Sequence, residues 1–270
     1  MRLDYHTHHY RCGHAGGEME EYIEAAIATG LDEIGLSDHS PIYHIGGDDP
    51  HPIPRTAMSR HELPRYVEEM LALRERYAGR IAVRLGVESD YVDGWGDHYR
   101  ALWQQFPLDY VIGSVHWLGR WSIFSSHLPR GRSAQDVYDE YLRLTQAAAR
   151  SGAYEIIGHL DCLKTRGHIP DLAITPLLEE TVRVLAESDV AIELNTSGWR
   201  KPEVNDCYPR AELLALCHRH GVPVTLGSDA HQPELVAAGF PEASELLRAV
   251  GYREIAAFAG RERRMVPLEG

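Results

Sequence analysis

Seven short runs of apolar residues recur along the chain, over 2–5, 33–37, 81–87, 110–115, 154–158, 190–195 and 222–227. Near-continuous apolar runs of this length suit strands buried on both faces, as in a parallel sheet. Between them the apolar positions fall at spacings of three and four. That pattern predicts helices over 18–29, 62–77, 134–150, 176–187, 211–220 and 233–249. Ser133 and Thr175 stand where N-caps belong, and Gly30, Gly152, Gly221 and Gly251 stand where helices should stop. Strand and helix in alternation predict parallel strands joined by helical crossovers. No segment reads as a linker, a repeat or a low-complexity tract, so residues 1–270 are expected to form one domain. The one long irregular stretch, 41–60, is rich in Pro, Gly, Asp and His and reads as a lid or binding loop.

Histidines and carboxylates gather where these strands end. His6 and His8 follow the first, with His14 beyond them, and His39 follows the second. Glu88 ends the third, His116 and His159 follow the fourth and fifth, and Asp229 and His231 follow the last. Alternate residues at a strand end point the same way, so His6 and His8 can reach one ion, as can Asp229 and His231. Imidazole nitrogen and carboxylate oxygen are the donors that zinc, iron and manganese accept. Nine donors exceed the needs of one ion and predict a cluster of two or three metals in an active site. A carboxylate in an otherwise buried strand needs partners for both oxygens, and a bridge between two metals would satisfy Glu88. An open sheet concentrates its site at one switch point, whereas a barrel brings every strand's C-terminal end around one mouth. Donors after six different strands fit only the closed ring, so the expected fold is an α/β barrel of seven units.

Composition narrows the partners. The formal charge is 27 − 40 = −13, which argues against binding nucleic-acid backbones or membrane surfaces. No run of eighteen apolar residues offers a membrane span. Cys12, Cys162, Cys207 and Cys217 form no CxxC pair, and the N-terminus is not signal-like, so a cytoplasmic location is expected. Cys12 and Cys162 lie near ligand histidines but read as small buried apolar side chains. The expected partner is a small molecule, and nothing in the pattern specifies an oligomer.

The motifs HTHHYRCGHA, SDHSP, GVESDY, DYVIGSVHWL, IGHLD, ELNTSGWRKP, YP and GSDAH, in that order, resemble the PHP (polymerase and histidinol phosphatase) superfamily. The resemblance runs from His6 to about Phe240. DYVIGSVH and ELNTSGWRKP are closer to its monofunctional histidinol-phosphate phosphatases than to its polymerase-associated domains. The resemblance implies a distorted seven-stranded (β/α)7 TIM-like barrel with three divalent ions, Zn, Fe or Mn. His6, His8, Glu88 and Asp229 would hold the first. Glu88 would bridge to a second held by His116 and His159, and His14, His39 and His231 would hold the third. The implied reaction is hydrolysis of L-histidinol phosphate to L-histidinol and phosphate, in histidine biosynthesis, by metal-activated hydroxide. Another small phosphate ester or a nucleotide is the alternative substrate.

Within that reading Glu88, Asp229 and His231 form the catalytic group. Charge developing on phosphoryl oxygens calls for fixed cations. Arg200 is the first candidate, because guanidinium can grip two oxygens at once. Lys164 is the next, with Arg166 competing for its place. His44, in the irregular stretch, is a candidate substrate contact and proton donor. Trp117, Trp121 and Tyr208 could line the pocket, whereas His9, His61, His98, His218 and His220 have no ligand context and read as surface or structural. Extra His and Asp residues in HYRCGHAGG and GDDPHPIPR, and the missing aromatic in LDCLKTRGH, depart from the pattern at the pocket more than at the ligands. The C–N hydrolases share HxH at a barrel strand but usually bridge their metals with lysine, a place Glu88 takes here. A storage or sensory metal-binding module is the non-enzymatic alternative.

Overall fold

In the computed structural model, which describes residues 1–168 and 174–269, the seven apolar runs all become strands or strand cores. They are β1 (Leu3–Asp4), β2 (Glu33–Leu36), β3 (Ala82–Asp90), β4 (Tyr110–Ser114), β7 (Ile156–Ile157), β8 (Ala191–Asn195) and β9 (Val224–Gly227). Two small antiparallel hairpins complete the strands: β5 (Trp117–Leu118) with β6 (Trp121–Ser122), and β10 (Glu254–Ala259) with β11 (Glu262–Pro267). The seven pair in the order β1-β2-β3-β4-β7-β8-β9, every pair parallel. The ends of that row meet: the Tyr5 amide donates to the Leu226 carbonyl at 3.1 Å and the His8 amide to Ala230 at 2.8 Å. The row therefore closes into the expected seven-stranded barrel.

Around it lie α1 (Met19–Ala28), α2 (Glu62–Arg76), α3 (Gly96–Trp103), α4 (Ala134–Arg150), α5 (Pro176–Glu187), α6 (Ala211–Arg219) and α7 (Phe240–Val250). Local chemistry starts them where the sequence suggested. Ser133 and Asp136 form a reciprocal capping box on α4, which buries Val137, Tyr138, Tyr141, Leu142 and Ala149 on one face. Thr175 caps α5 by accepting from the Leu178 amide, with Pro176 in the first turn.

The helix expected over 233–249 is two elements. A single 3₁₀ turn spans Pro233–Leu235, the chain breaks at Gly239 in the left-handed region (φ 81°), and α7 begins at Phe240 with Pro241 in its first turn. Proline is tolerated in the first turn of a helix and not in its interior, so Pro241 marks a start. Two elements lacked a readable pattern. The eight-residue α3 buries only Tyr99 and Trp103, too few positions to show a period. The β10–β11 hairpin closes the N-terminal end of the barrel, where the Phe258 amide donates to the Tyr5 hydroxyl at 3.1 Å.

Tyr5, Tyr110 and Phe258 fill that end, with the Tyr5 and Tyr110 rings stacked at 4.9 Å. Tyr110 needs glycine on two neighbouring strands: a Cβ on Gly35 would lie 2.1 Å from its hydroxyl and one on Gly86 2.3 Å from its ring. The 41–60 stretch contains no helix or strand, yet it is tied down. Arg60 donates to the carbonyls of Ile42, Ile45 and Gly47 at 3.0, 3.1 and 2.5 Å, and the Met58 amide donates to His39 at 3.2 Å.

Candidate metal centre

All nine expected donors lie at the C-terminal mouth of the barrel, eight of them on strand ends or shortly beyond them and His14 after the 3₁₀ turn Tyr10–Cys12. Glu88 sits at their centre. Its Oε1 accepts from the Ser114 hydroxyl at 2.6 Å and lies 2.9 Å from His159 Nε2 and 3.4 Å from His116 Nε2. Its Oε2 lies 3.0 Å from His39 Nδ1, 3.4 Å from His6 Nε2 and 3.6 Å from His8 Nε2. One carboxylate thus faces two different sets of imidazoles with its two oxygens. Asp229 turns Oδ1 toward His8 Nε2 at 3.2 Å and His231 Nδ1 at 3.4 Å, while Ser197 holds its Oδ2 at 3.0 Å. Asp229 is also in the left-handed backbone region (φ 52°), a strained conformation that clusters at functional sites.

Four donor triads each gather within 4.8 Å at the mouth: His6, His8 and Asp229; His6, Glu88 and His159; His39, Glu88 and His116; His8, His39 and His231. His14 stands just outside them, its ring 5.1 Å from His39 and 5.0 Å from His231. The fit to divalent metal is chemical as well as spatial. The Nε2 atoms of His6 and His8 are buried and lack a hydrogen bond among the described residues. Their opposite nitrogens are held by carboxylates, His6 Nδ1 by Glu193 at 2.7 Å and His8 Nδ1 by Asp38 at 3.4 Å. His116 follows suit, with Nδ1 at 2.7 Å from Asp90 and Nε2 aimed at His159 Nε2, 3.1 Å away. A carboxylate behind the ring is the usual support of a metal-ligating histidine. Two facing imidazole nitrogens need a proton or a cation between them.

The electrostatics agree. Burial alone would raise the Glu88 and Asp229 carboxyls, yet the imidazoles around them hold both well below the usual carboxylate range. Burial opposes charge on His6, but Glu193, Glu88 and Asp229 carry it well above its ordinary value. His8 is likewise brought up to about 9, against burial, by Asp229 and Asp38. His231, half-buried and close to His8, is pushed down to about 3, and burial also lowers His39. A field that attracts protons to His6 and His8 attracts a metal ion in their place, and neutral imidazole is the ligating form.

A fifth triad, His8, Cys12 and Asp38, lies behind the site. Asp38 is already occupied there by His9 Nδ1 at 2.8 Å and by the amides of His39 and Cys12 at 2.9 and 3.1 Å. The Cys12 thiol, turned to the His9 carbonyl, is pushed up by burial and by Asp38 and stays neutral. Cys12 packs as the small apolar group expected of it, and His9 is structural.

The expected substrate contacts stand elsewhere. Arg200 donates to the carbonyls of Ser228 (2.7 Å) and Asp229 (3.3 Å), behind the loop that carries Asp229. Its reach is set by the 3₁₀ turn Ser197–Arg200, which points the side chain at the backbone of the neighbouring strand end. Lys164 is taken up by Asp206 at 2.7 Å and by the Cys207 carbonyl, and Arg166 by the Phe124 carbonyl at 3.1 Å. His44 lies against Tyr99, 3.3 Å from its hydroxyl, and lines a neighbouring cavity with Trp117 and Arg120. Trp121 donates to the His127 carbonyl and packs on His168.

Two cavities open over the donors, of about 330 and 280 Å³, and they share His14, His39, His116 and Phe124. The first is lined by Glu88, His159, Thr165, Tyr208 and Lys201, the second by Arg55, Thr56, Asp90, Trp117 and Ser122. The sequence reading assigned no role to Glu193, Asp90, Lys201 or Arg55. A signal existed for the first two. Glu193 is a charge inside the apolar strand Ala191–Asn195, as Glu88 is in β3, and Asp90 is two residues from Glu88 on the same face.

The PHP domain family model matches residues 4–197. The chain is 38% identical over 267 residues to the "probable histidinol-phosphatase" of Deinococcus radiodurans, covering 98% of both. It is 27% identical over 253 residues to the histidinol-phosphatase of Bacillus subtilis, covering 86% of this chain and 94% of that one. A crystal structure of histidinol phosphate phosphatase from Lactococcus lactis, complexed with zinc, L-histidinol and phosphate, superposes with a TM-score of 0.80 at 26% identity, covering 97% of this chain and 98% of that one.

Proposed function

Because this chain belongs to the PHP domain family, we propose that it is a metal-dependent phosphomonoesterase that hydrolyses L-histidinol phosphate to L-histidinol and phosphate, a step of histidine biosynthesis. The observation that carries the reading is Glu88, whose two oxygens face separate imidazole sets on the floor of a cavity large enough for a small phosphate ester. The full-length similarity to histidinol-phosphatases supports the substrate.

We assign three divalent ions, zinc, iron or manganese, to these donors. His6, His8, Asp229 and Glu88 Oε2 would hold the first, Glu88 Oε1, His116 and His159 the second, and His39, His231 and His14 the third. When bound, such ions supply Lewis acidity toward phosphoryl oxygens and acidify water to a nucleophile at neutral pH. The protein's own groups do the rest. Glu193, Asp38 and Asp90 fix the ring orientations of His6, His8 and His116. Asp229, whose Oδ2 is held by Ser197, would present Oδ1 to the first ion. Lys201, whose ammonium lies 5.4 Å from the Tyr208 ring centre, remains available to phosphoryl oxygens. It takes the part first expected of Arg200 and Lys164. Phe124 and Trp117 offer apolar faces to an imidazole ring, and the anchored 41–60 loop walls one side of the entrance and limits water. Among the described residues no helix is long and apolar enough to cross a membrane, and four free buried cysteines suit a reducing cytoplasm.

Phosphate release from histidinol phosphate, nucleotides and simple phosphomonoesters, measured with zinc, manganese and iron, tests the reading. Histidinol phosphate should be preferred in kcat/KM by at least an order of magnitude. Faster turnover of 5′-nucleotides would refute the substrate and leave the reaction class.

A further inference from the structure

Arg55 differs from every cation expected at the phosphate. Arg200, Lys164 and Arg166 are each engaged by carbonyls or carboxylates. Arg55 is exposed in the 280 Å³ cavity beside His14, His39 and His116, and its guanidinium has no ion pair or hydrogen bond among the described residues. Exposure alone would make it one more solvated surface cation. Its backbone argues otherwise. Arg55 is held in the left-handed region (φ 63°), which disfavours any residue with a side chain. Its Cα packs so closely on Gly13 that a Cβ there would lie 2.8 Å away, and Gly13 is itself left-handed (φ 81°). The segment that carries His8 and His14 is thereby packed closely against the 41–60 loop at Gly13 and Arg55.

The loop on either side is anchored. Ala57 and Met58 are buried, and Met58 binds the His39 carbonyl. Arg60 gathers four carbonyls at 2.5 to 3.4 Å. A strained, clamped backbone that still presents its side chain to the cavity has the form of a preorganised binding residue. The ligand chemistry follows from the group: an unpaired guanidinium at the rim of a metal site suits an anion that accepts two parallel hydrogen bonds.

We propose that Arg55 binds the phosphoryl group of the substrate from the cavity next to that of Lys201, resting on the phosphomonoesterase reading above. The test uses the metal-loaded protein and inorganic phosphate as probe, with calorimetric Kd, metal content, thermal midpoint and KM for histidinol phosphate measured together. Arg55→Ala should weaken phosphate binding and raise KM by about tenfold to a hundredfold, the range for a hydrogen bond to a charged group. Metal content and inhibition by L-histidinol should stay unchanged. Arg55→Lys should recover part of the loss. Arg55→Gly should lose phosphate affinity as fully as Arg55→Ala while melting no lower than wild type, because glycine accepts the left-handed backbone. A phosphate Kd within twofold of wild type, or a loss confined to L-histidinol, would overturn the proposal. The two readings fail separately: a wild-type protein that hydrolyses no phosphomonoester yet loses phosphate binding in Arg55→Ala would sink the enzymatic reading and keep Arg55.

Discussion

The two ends of the barrel bury carboxylates in different company. At the N-terminal end Glu33 accepts from Arg84 at 2.9 and 3.0 Å, from Arg264, and from the Tyr5 hydroxyl at 2.5 Å. Asp109 accepts from Arg74 and from the amides of Leu85 and Gly260, and Glu155 from Arg261. At the C-terminal mouth Glu88 and Asp229 are just as deeply set, but their neighbours are imidazoles and small polar groups. Arginine is a permanent cation with no lone pair to offer, so the acids at the first end are neutralised and have no neighbour that could share a metal ion. Imidazole can be neutral and donate a lone pair, so the mouth accepts divalent ions. One end stabilises and the other coordinates, through the choice of base beside each buried acid.

Substitutions at matched positions should separate these roles. Glu88→Gln exchanges the carboxylate proposed to bridge two ions for a neutral amide with one oxygen, and should lower metal content at two positions together, with activity falling by on the order of a thousandfold. Elemental analysis showing full occupancy would contradict the bridging role. Glu33→Gln should do the reverse. It strands Arg84 and leaves Arg264 half-paired, costing about 2–3 kcal/mol, under the 3–5 typical of a fully buried pair because Arg264 is partly exposed. Denaturant midpoints should fall while metal content holds, and a loss of metal would show that the two ends are not independent.

Glu193→Gln keeps the shape and one acceptor oxygen for the His159 amide, and removes the charge behind His6. Metal affinity should weaken about ten- to a hundredfold with little change in fold, read by competition with a chelator. An unchanged affinity would reduce Glu193 to a packing residue. The smallest effect is expected at Arg200. Arg200→Ala should cost about 1–2 kcal/mol through the freed carbonyls of Ser228 and Asp229 and leave KM nearly unaltered. A large rise in KM would return Arg200 to the phosphate.

The candidate metal donors were readable because most stand at or just past the end of a buried strand, where a polar group needs a reason to be. His6, Glu88 and Asp229 announce themselves by breaking an apolar context. The same signal was present at Glu193, whose polar partners, His6 Nδ1 and the His159 amide, lie 187 and 34 residues away and appear only when β1, β7 and β8 come together. The cations were unreadable. Arg200 ends a 3₁₀ turn and Lys201 follows it in extended conformation, and that change of one residue sends the first to a carbonyl and the second to the cavity. No local pattern distinguishes them. Arg55 sits in a stretch without periodicity, and its position depends on a contact with Gly13, forty-two residues earlier.

The period of apolar residues and the placement of donors at strand ends determined, by themselves, a seven-unit parallel barrel whose mouth gathers imidazoles and carboxylates. Strand periodicity is a local property, and a buried charge is conspicuous in its own segment. Which cation meets the substrate, which acid orients which histidine, and which end of the barrel is sealed were decided by closure of the ring. These depend on distances between residues far apart in the chain, and such distances exist only after the strands have paired.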